Sequence, residues 1–555
     1  MDSETRLIRC PVGRCEKCSE RTETGCHRLK DSGIRPVLIE VERGFLHLWE
    51  NENLQQLHPS YPPWHMEGWE TVFTGVDSSL FDDFDNILEV YKVGPYLNLF
   101  KRFGERTMYC SIPVVRTSLE KSLVEELSDR TKFDTQSVSI NSGISRRFEM
   151  LTDVVSKHIL NFIPEISETT RNTLSTIIAQ RRSILGPLIP IILDDLVEEL
   201  YLDCPRTPVY FDHQKLGRCD ATFSFHEDDV PKIITLIRSE SNLHLDRSNP
   251  SLKMDMHLLG SSLRVSVSIP PLSPDGLHLE IRRARNKPFT MVDLIENGTI
   301  TPDVAAILLL AITCRFNITI TGGPGTGKTT LMNAMDLATP RWWRKIYIED
   351  TVESRNQETH HQVRFKVDPV DERLGRFDKS GEIIKCLHRS PDYLILGEIQ
   401  TAEHSRALFQ AIVAGLRTIQ TCHSDSSSSL VSRWKQGHGI EDSILAMMDM
   451  IVTLERPIPG KSNRRVKEIA EIRKSKDNGL LLFSGLNVVY DARKGYSDWA
   501  QDGAFLTFAR SLGIESHEPA LCSLKKMISA NMCQSNFETL SEQLWSNDNP
   551  LGWVQ

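Results

Sequence analysis

The chain has 555 residues, of which 40% are hydrophobic and 25% charged, and its formal net charge is −9. This length predicts roughly three or four domains, and the acidic balance argues against a protein that coats DNA or RNA. The first residues, MDSETRLIRC, lack the cationic and apolar segments of a signal peptide. The longest apolar runs, residues 304–314 and 184–193, are shorter than the ~20 residues that span a bilayer. We therefore expect membrane contact only at the periphery or through a partner.

Four cysteines cluster near the N-terminus, within residues 1–35. Cys10, Cys15, Cys18 and Cys26 have the spacing C-x₄-C-x₂-C-x₇-C. Four thiolates this close together suit tetrahedral Zn²⁺, and C-x₂-C is the usual chelating pair. We predict a Zn²⁺ site here; free thiols and an iron–sulfur cluster are the alternatives. The other cysteines are scattered singly through the chain, which is typical of a reduced intracellular protein.

The rest of the chain divides into five segments by pattern. Residues 36–115 mix short strand-like runs with turn-rich aromatic stretches and predict a β-rich region. Residues 116–189 have helical periodicity after TSLE, which fits a capping box, and predict a small helical domain. Residues 190–290 alternate helix and strand and predict a compact α/β domain. Residues 291–475 alternate around a glycine-rich loop and predict a parallel sheet. Residues 476–555 carry no recognised motif.

The glycine-rich loop is TGGPGTGKTT, which fits the P-loop pattern G-x-x-x-x-G-K-[ST]. It follows the strand-like NITI and precedes a helical segment, and this context disfavours a chance glycine turn. Without side chains in the way, backbone N–H groups can converge on an anion, and the following helix directs its positive end at the same place. We expect Lys328 to hold the β- and γ-phosphates of a nucleoside triphosphate and the Thr329 hydroxyl to hold Mg²⁺. The residues predicted to form this site are Gly322, Gly323, Pro324, Gly325, Thr326, Gly327, Lys328, Thr329 and Thr330.

Polar side chains follow three strand-like runs downstream of the P-loop. YLIL leads into Glu398, and KIYI leads into Glu349, Asp350 and Glu353. An acid at the end of a neighbouring strand can hold Mg²⁺ and orient water, although a solvated loop charge is the alternative. A third run, RTIQTC, ends at His423, which fits a γ-phosphate sensor as well as a core or capping histidine.

Taken in chain order, four motifs resemble those of the type II/IV secretion ATPase superfamily: the P-loop, the acidic segment from Glu349 to Glu353, the strand that leads to Glu398, and the segment at His423. Members of this superfamily drive pili, archaella, type II secretion and conjugation machines. The segments PDYLILGEIQ, ALFQAIVAGLRTIQTCHSDS and LEIRRARNKPFTMVDLIENGTI carry the resemblance, and the archaeal archaellum and pilus motors are the most similar members. The resemblance implies an α/β protein with a RecA-like P-loop motor domain. It implies a preceding PAS-like α/β domain as well, beside the small helical domain and the N-terminal cysteine cluster.

The resemblance also implies an activity, that of a Mg²⁺-dependent ATPase that assembles as a homo-oligomeric ring, a hexamer. Such a ring powers assembly of a type IV pilus- or archaellum-like filament, or type II/IV protein secretion. Glu398 and Glu353 become the catalytic acids, Glu398 with a part in holding Mg²⁺, and His423 becomes the sensor. In the family, arginines of the N-terminal domain reach the nucleotide phosphates, which implies this role for Arg282 and Arg283; a solvated basic strand edge is the alternative.

The implied location is the cytoplasm, at the inner face of the cell membrane, where a polytopic membrane platform protein would hold the ring. No nucleic-acid partner is expected.

Gln400 departs from the family pattern, which usually has an arginine at this position. A neutral amide cannot make a bidentate charged contact, so turnover could be slow.

Three alternatives stay open: a nucleotide-gated scaffold of the same machine with little hydrolysis, a DNA-conjugation-type translocase, and a kinase of another P-loop type. The acidic balance disfavours a translocase channel, and no segment supplies the acceptor site or lid of a kinase.

Overall fold

The structure is a computed structural model, and the chain divides into two compact units, Met1–Asn286 and Lys287–Gln555. Of residues 1–86 the structure describes only the backbone of short strands. From residue 87 it describes the chain to residue 545, leaving out 116–117, 130–142, 285–287, 355–356, 358–359, 369–376, 459, 462, 512–517 and 533–543. The two units are coarser than the six segments predicted from the sequence, and those segments stay predictions.

The strands of the N-terminal 86 residues form two small sheets. Their bounds are β1 (Thr5–Ile8), β2 (Arg21–Thr22), β3 (Gly25–Cys26), β4 (Arg35–Val41), β5 (Gly44–Glu50) and β6 (Glu70–Phe73). One sheet has the order β1-β5-β4-β6, and β2 pairs with β3. Cys10, Cys15 and Cys18 lie outside the described residues, as does the side chain of Cys26. The zinc site therefore stays a prediction.

A second sheet runs through the first unit. Its strands are β7 (Ile87–Val93), β8 (Tyr96–Phe103), β9 (Arg106–Pro113), β10 (Val197–Leu202), β11 (Pro208–His213), β12 (Gly217–Ser224), β13 (Ser251–Leu258), β14 (Ser261–Ser268) and β15 (His278–Ala284). The described order is β13-β14-β15-β10-β11-β12-β9-β8-β7. Leu263, Val265 and Val267 alternate along β14 and are buried, because successive side chains of a strand point to opposite faces. Strands from residues 36–115 and from residues 190–290 thus share one sheet.

The helices of the first unit pack partly on one another and partly on this sheet. Their bounds are α1 (Ser118–Asp129), α2 (Ile144–Phe162), α3 (Glu168–Arg181), α4 (Ile189–Ile192) and α5 (Val230–Ser241). Ser167 caps α3 by accepting a hydrogen bond from the backbone N–H of Thr170, which satisfies an otherwise unpaired donor. Val124 of α1, Ile159 of α2 and Ile178 of α3 belong to one buried apolar cluster, so these three helices share a small core.

The sheet of the second unit is mixed. Its strands are β16 (Ile318–Thr321), β17 (Lys345–Glu349), β18 (Gln362–Lys366), β19 (Tyr393–Ile399), β20 (Thr418–Cys422), β21 (Met450–Glu455), β22 (Arg465–Asp477), β23 (Leu480–Asp491) and β24 (Gly495–Tyr496). Their described order is β18-β17-β19-β20-β16-β21-β22-β23-β24. Neighbours from β18 to β21 are parallel, as predicted, and those from β21 to β24 are antiparallel. Every residue of β16, β17 and β20 is buried, which is typical of parallel strands covered on both faces.

The helices of the second unit cover this sheet. Their bounds are α6 (Met291–Glu296), α7 (Pro302–Thr313), α8 (Lys328–Leu337), α9 (Lys379–Lys385), α10 (Ala402–Val413), α11 (Ser427–Ser432), α12 (Asp442–Leu445), α13 (Ala504–Ser511) and α14 (Glu518–Met532). Residues 304–312 of α7 are all buried, and they share one apolar core with Leu524 and Ile528 of α14. The C-terminal residues therefore complete the core of this unit. Among the described helices, none combines the length and apolar character needed to cross a bilayer.

Candidate functional site

The candidate site lies at the carboxyl edge of the second unit's sheet. β16 is followed by Gly322, β20 is followed by His423, and β19 carries Glu398 near its end. β16, β20 and β19 are adjacent and parallel, and the carboxyl ends of parallel strands meet at one edge. The fold thereby brings Glu398 and His423 to the P-loop, although they lie 76 and 101 positions after Gly322 in the sequence.

The P-loop backbone adopts a conformation that is unfavourable for residues with a side chain. The φ angles of Gly322, Gly325 and Gly327 are +153°, +66° and +89°, values that residues with a side chain rarely adopt. A Cβ at Gly322 would lie 2.6 Å from the carbonyl oxygen of Leu454 and 2.7 Å from Oγ1 of Thr326. One face of the loop is open to solvent. Pro324 and Gly325 are exposed there, and Gly323 is half-buried. This shape fits a loop whose backbone N–H groups surround an anion.

Lys328 is the first residue of α8, and its side chain lies across the loop. It is 8% exposed. Nζ donates hydrogen bonds to the carbonyl oxygens of Gly322 (3.1 Å) and Gly323 (2.9 Å) and lies 3.2 Å from Nδ1 of His423. Because an ammonium group only donates, Nδ1 of His423 accepts this bond, and the ring proton lies on Nε2.

His423 continues the hydrogen-bonded chain to Glu398, since Nε2 contacts Oε1 of the carboxylate. Nε2 of Gln400 donates to Oε2 of Glu398 at 2.9 Å. Burial raises the pKa of Glu398, but the hydrogen bonds from His423 and Gln400 and the charge of Lys328 outweigh it, and the pKa is about 2. The carboxylate is therefore ionised at neutral pH, as a group that binds a metal or orients water has to be.

A bulge directs Glu398 towards this edge. The register of β19 against β20 shifts between Leu396 and Glu398, and an extra residue of this kind turns the next side chain. A Cβ on the intervening Gly397 would lie 3.3 Å from the carbonyl oxygen of Ile348. Glycine is thus the residue that fits here with least adjustment of the neighbouring strand.

The acidic segment after β17 is organised around Glu349, which is 2% exposed. Its Oε1 accepts from the backbone N–H groups of Glu353 (3.2 Å) and Ser354 (2.9 Å), and its Oε2 accepts from the Ser354 hydroxyl (2.5 Å). Burial raises the pKa of Glu349. Glu353 is half-buried, and its carbonyl oxygen accepts a hydrogen bond from Asn333 of α8 at 3.2 Å. Glu349 shapes the loop, and Glu353 lies on it beside α8.

Lys379 of α9 is a residue that the sequence analysis did not identify. Its side chain is 2% exposed, and Nζ lies 3.3 Å from Oδ1 of Asp350. Nζ also donates to the backbone carbonyl of Glu398 at 2.9 Å. This buried ammonium joins the acidic segment to β19. A single lysine in a helical pattern carries no signal that could have revealed this role.

Two arginines between β21 and β22 also lie against the P-loop. Nε of Arg464 donates to the carbonyl oxygen of Gly325 at 2.8 Å, and a Cβ on Gly325 would lie 3.6 Å from Nη1 of Arg456. The basic composition of RPIPGKSNRR was the available signal in the sequence. These arginines place positive charge at the open face of the loop.

The two arginines predicted to reach phosphates, Arg282 and Arg283, lie on β15 of the first unit and differ in their surroundings. The Arg283 side chain is 4% exposed and pairs with Asp195, and its Nε donates to the carbonyl oxygen of Ile192 at 2.9 Å. Arg282 is exposed and stands opposite Arg264 of β14 in the sheet register. A phosphate contact by Arg283 would require these internal bonds to break. Both roles stay predictions.

Comparisons with known proteins show a family, and the match of its model includes the P-loop. The model of a family described as Type II/IV secretion system protein matches residues 236–479. A relative in Methanocaldococcus jannaschii, uncharacterized protein MJ1287, is 33% identical over 189 residues, which cover 32% of this chain and 67% of that protein.

Two further matches cover other shares of the chain. Uncharacterized protein MJ0781 of the same organism is 30% identical over 226 residues, 40% of this chain and 31% of that protein, so the match spans about a third of its length. The structure of the Legionella pneumophila ATPase DotB is 15% identical with a TM-score of 0.39, over 51% of this chain and 78% of that one. Because this TM-score is low, family membership depends on the sequence matches.

Proposed function

Because the chain belongs to the type II/IV secretion system ATPase superfamily, we propose that its second unit binds Mg²⁺–ATP at the P-loop and hydrolyses it. The observation that carries this proposal is the hydrogen-bonded chain from Lys328 through His423 to Glu398. It connects the charge that binds phosphate to the carboxylate that can orient water. The main support for a nucleoside triphosphate as the ligand is the glycine-rich loop, whose positive φ angles at Gly322, Gly325 and Gly327 fit a backbone that surrounds an anion.

Each residue of the site has a distinct task in this proposal. The Lys328 ammonium exchanges the carbonyl oxygens of Gly322 and Gly323 for the β- and γ-phosphates, which its flexible stem permits. Mg²⁺, held by the Thr329 hydroxyl and Glu398, would offset the negative charge of the phosphates. The ionised Glu398 carboxylate accepts a hydrogen bond from the attacking water and orients it. His423, beside Lys328, reports on the γ-phosphate through the same hydrogen-bonded chain.

The proposal extends to the assembly that the activity would serve. The family description, Type II/IV secretion system protein, supports a role in secretion, and assembly of a pilus- or archaellum-like filament is the other role that the sequence resemblance implies. We propose that copies of the chain form a ring, with six as the expected number, at the inner face of the membrane on a membrane platform protein. Arg282 and Arg283 would supply the phosphate contacts that the family resemblance implies, and Glu353 would share the work of Glu398.

A steady-state assay of phosphate release on the purified full chain tests the activity. Glu398→Gln keeps the shape of the site and removes the charge, so it should bind Mg²⁺–ATP and slow hydrolysis by about a hundredfold or more. Lys328→Ala should lose both binding and hydrolysis. Glu403→Gln, an exposed glutamate on α10, is the matched control and should behave as wild type. Wild-type turnover in Glu398→Gln would remove Glu398 from the mechanism.

A second candidate function is the nucleotide-gated scaffold. His423 and Gln400 between them contact both oxygens of Glu398, so the carboxylate is already engaged. If this engagement persists with nucleotide bound, the protein binds Mg²⁺–ATP and releases little phosphate. The scaffold then predicts tight binding without turnover in the wild type and a gain of turnover in Gln400→Arg.

A further inference from the structure

Arg433 lies on a π-helical turn, Arg433–Gly437, that directly follows α11. Its guanidinium group makes three contacts. Nη1 donates to the carbonyl oxygen of His423 at 2.8 Å, and Nη2 donates to that of Gln400 at 2.5 Å. Nε donates to Nε2 of His438 at 3.3 Å. One side chain thus joins the backbone just after β20 to the backbone just after β19.

The position of these two carbonyls gives the contact its importance. The ladder between β19 and β20 is interrupted by the bulge at Gly397, and its last pair is Ile399 with Cys422. Gln400 and His423 are the next residue on each strand, so no described ladder pair holds them at this edge. A planar guanidinium with donors in a fixed fork suits two carbonyl oxygens held side by side. Arg433 therefore continues the connection where the strand pairing ends.

The turn that carries Arg433 is itself held firmly. Trp434 is fully buried and packs edge-on against Phe409 of α10, with ring centroids 5.2 Å apart. Nδ1 of His438 lies 2.8 Å from the Ser405 hydroxyl, also on α10. The contacts of Trp434 and His438 with α10 therefore hold the turn that carries the guanidinium group. Turns of π-helix are frequent at functional sites.

We propose that Arg433 is a positioning residue for the reaction, one that acts through the backbone and keeps the side chains of His423 and Glu398 in contact. This inference rests on the proposed function. Arg433 touches neither side chain directly; it contacts the carbonyl of His423 itself and that of Gln400, two residues after Glu398. A loss of this cation therefore lets the two strand ends separate without removing any group that binds the nucleotide.

The kinetic test compares Arg433→Gln, Arg433→Lys and Arg433→Ala in the full chain. In Arg433→Gln we expect kcat to fall by about ten- to a hundredfold, since a small misplacement of reacting groups has that effect, and the Kd for Mg²⁺–ATP to change by less than about twofold. Arg433→Lys can reach one carbonyl and should lose less activity. Millimolar guanidinium chloride should restore part of the activity of Arg433→Ala. Arg406→Gln is the matched control, because Nε of Arg406 donates to the His438 carbonyl at 3.2 Å and no strand end is involved.

A second measurement reads the backbone directly and requires no turnover. Hydrogen–deuterium exchange should become faster in Arg433→Gln at the peptides that span residues 398–402 and 422–426, and stay unchanged there in Arg406→Gln. Unchanged exchange at both peptides, or a wild-type kcat in Arg433→Gln, would overturn the inference. A fall in nucleotide affinity equal to the fall in kcat would also overturn it, because that result indicates a binding role.

The same data separate this inference from the proposed function. A wild-type protein that binds Mg²⁺–ATP without hydrolysing it contradicts the proposed function. In that case hydrogen–deuterium exchange at the two peptides tests the positioning role of Arg433 by itself. Turnover in the wild type with an inactive Glu398→Gln and a fully active Arg433→Gln supports the function and rejects the positioning role.

Discussion

Lys328, His423 and Glu398 form one chain of polar contacts. The ammonium of Lys328 sets the tautomer of His423, and the ring N–H that results contacts Glu398. The carboxylate is thereby held ionised in spite of its partial burial, with a pKa of about 2. At the scale of single residues, the site is thus prepared for a cationic or water ligand before nucleotide binds.

A pH-dependent contribution to stability follows from Glu398. A carboxyl group whose pKa is about 2 in the folded protein, against an ordinary value of 4.5, stabilises the fold above pH 4.5 and loses that contribution as the pH falls towards 2. The difference in free energy of unfolding between wild type and Glu398→Gln should therefore be constant from about pH 5 to 8 and shrink below pH 4.5. Urea unfolding at a series of pH values measures it. A difference that grows as the pH falls would contradict the contacts described for Glu398.

At the scale of elements, the connection from β16 to α8 is the most constrained. Its first glycine packs its Cα against the backbone of β21, because the Leu454 carbonyl leaves no space for a Cβ. The strand, the loop and the helix that begins at Lys328 therefore form one rigid part. Such rigidity would favour binding, since a loop that is already ordered loses little conformational freedom when an anion arrives.

Gly322→Ala should disrupt this element. The added Cβ would lie 2.6 Å from a backbone oxygen, and the φ of +153° is unfavourable for alanine. We expect a loss of about 1–3 kcal/mol in stability and a loss of Mg²⁺–ATP binding. Gly323→Ala is a control in the same loop, because its Cβ would meet only Cγ2 of Thr326, at 3.9 Å. Calorimetric titration with Mg²⁺–ATP measures binding by both variants, and thermal unfolding measures their stability. Equal effects in the two variants would show that loop flexibility, and not the close contact, matters.

At the scale of the whole molecule, the C-terminal residues are part of the second unit's core. β22 runs from Arg465 to Asp477 and so crosses the boundary predicted at residue 475. The buried carboxylate of Glu471 accepts hydrogen bonds from the backbone N–H groups of Ala500 (2.6 Å) and Phe505 (3.3 Å). Residues beyond 475 are therefore tied to the P-loop unit by both polar and apolar contacts.

Leu524→Ala tests this arrangement. Leu524 is 1% exposed in the core that it shares with α7, and removing a buried leucine side chain costs roughly 2–5 kcal/mol. We expect a lower melting temperature and weaker ATP binding at the temperature where the unit begins to unfold. Cys522→Ala on the same helix is the control, since Cys522 is exposed. An unchanged melting temperature in Leu524→Ala would mean that α14 is a detached extension.

The N-terminal cysteines supply a separate prediction for the whole chain. Purified under reducing conditions without chelator, the protein should contain about one Zn²⁺ per chain. Cys15→Ala together with Cys18→Ala should remove it and leave Mg²⁺–ATP binding unchanged, because the cluster lies far upstream of the P-loop in the sequence. Elemental analysis and a binding titration provide the measurement. Absence of zinc in the wild type would favour free thiols, and iron in its place would favour a cluster.

The sequence by itself determined the local features of this protein. These features are the P-loop between a strand and a helix and the polar residues at the ends of buried runs. They depend on neighbouring residues in the chain and on strand periodicity. Both are legible in sequence patterns. Glu398 and His423 could be predicted for that reason, because the parallel strands of one sheet end at the same edge.

Only the tertiary structure decided which atoms meet at that edge. The Gln400 contact to Glu398, the Lys379 bridge and the Arg433 contacts to two strand ends join residues on different elements. The internal bonds of Arg283 and the place of α14 in the core are of the same kind. Such contacts depend on how helices pack on the sheet and on one bulged residue. No spacing in the sequence encodes them, since each side chain taken alone looks like an ordinary surface lysine, arginine or glutamine.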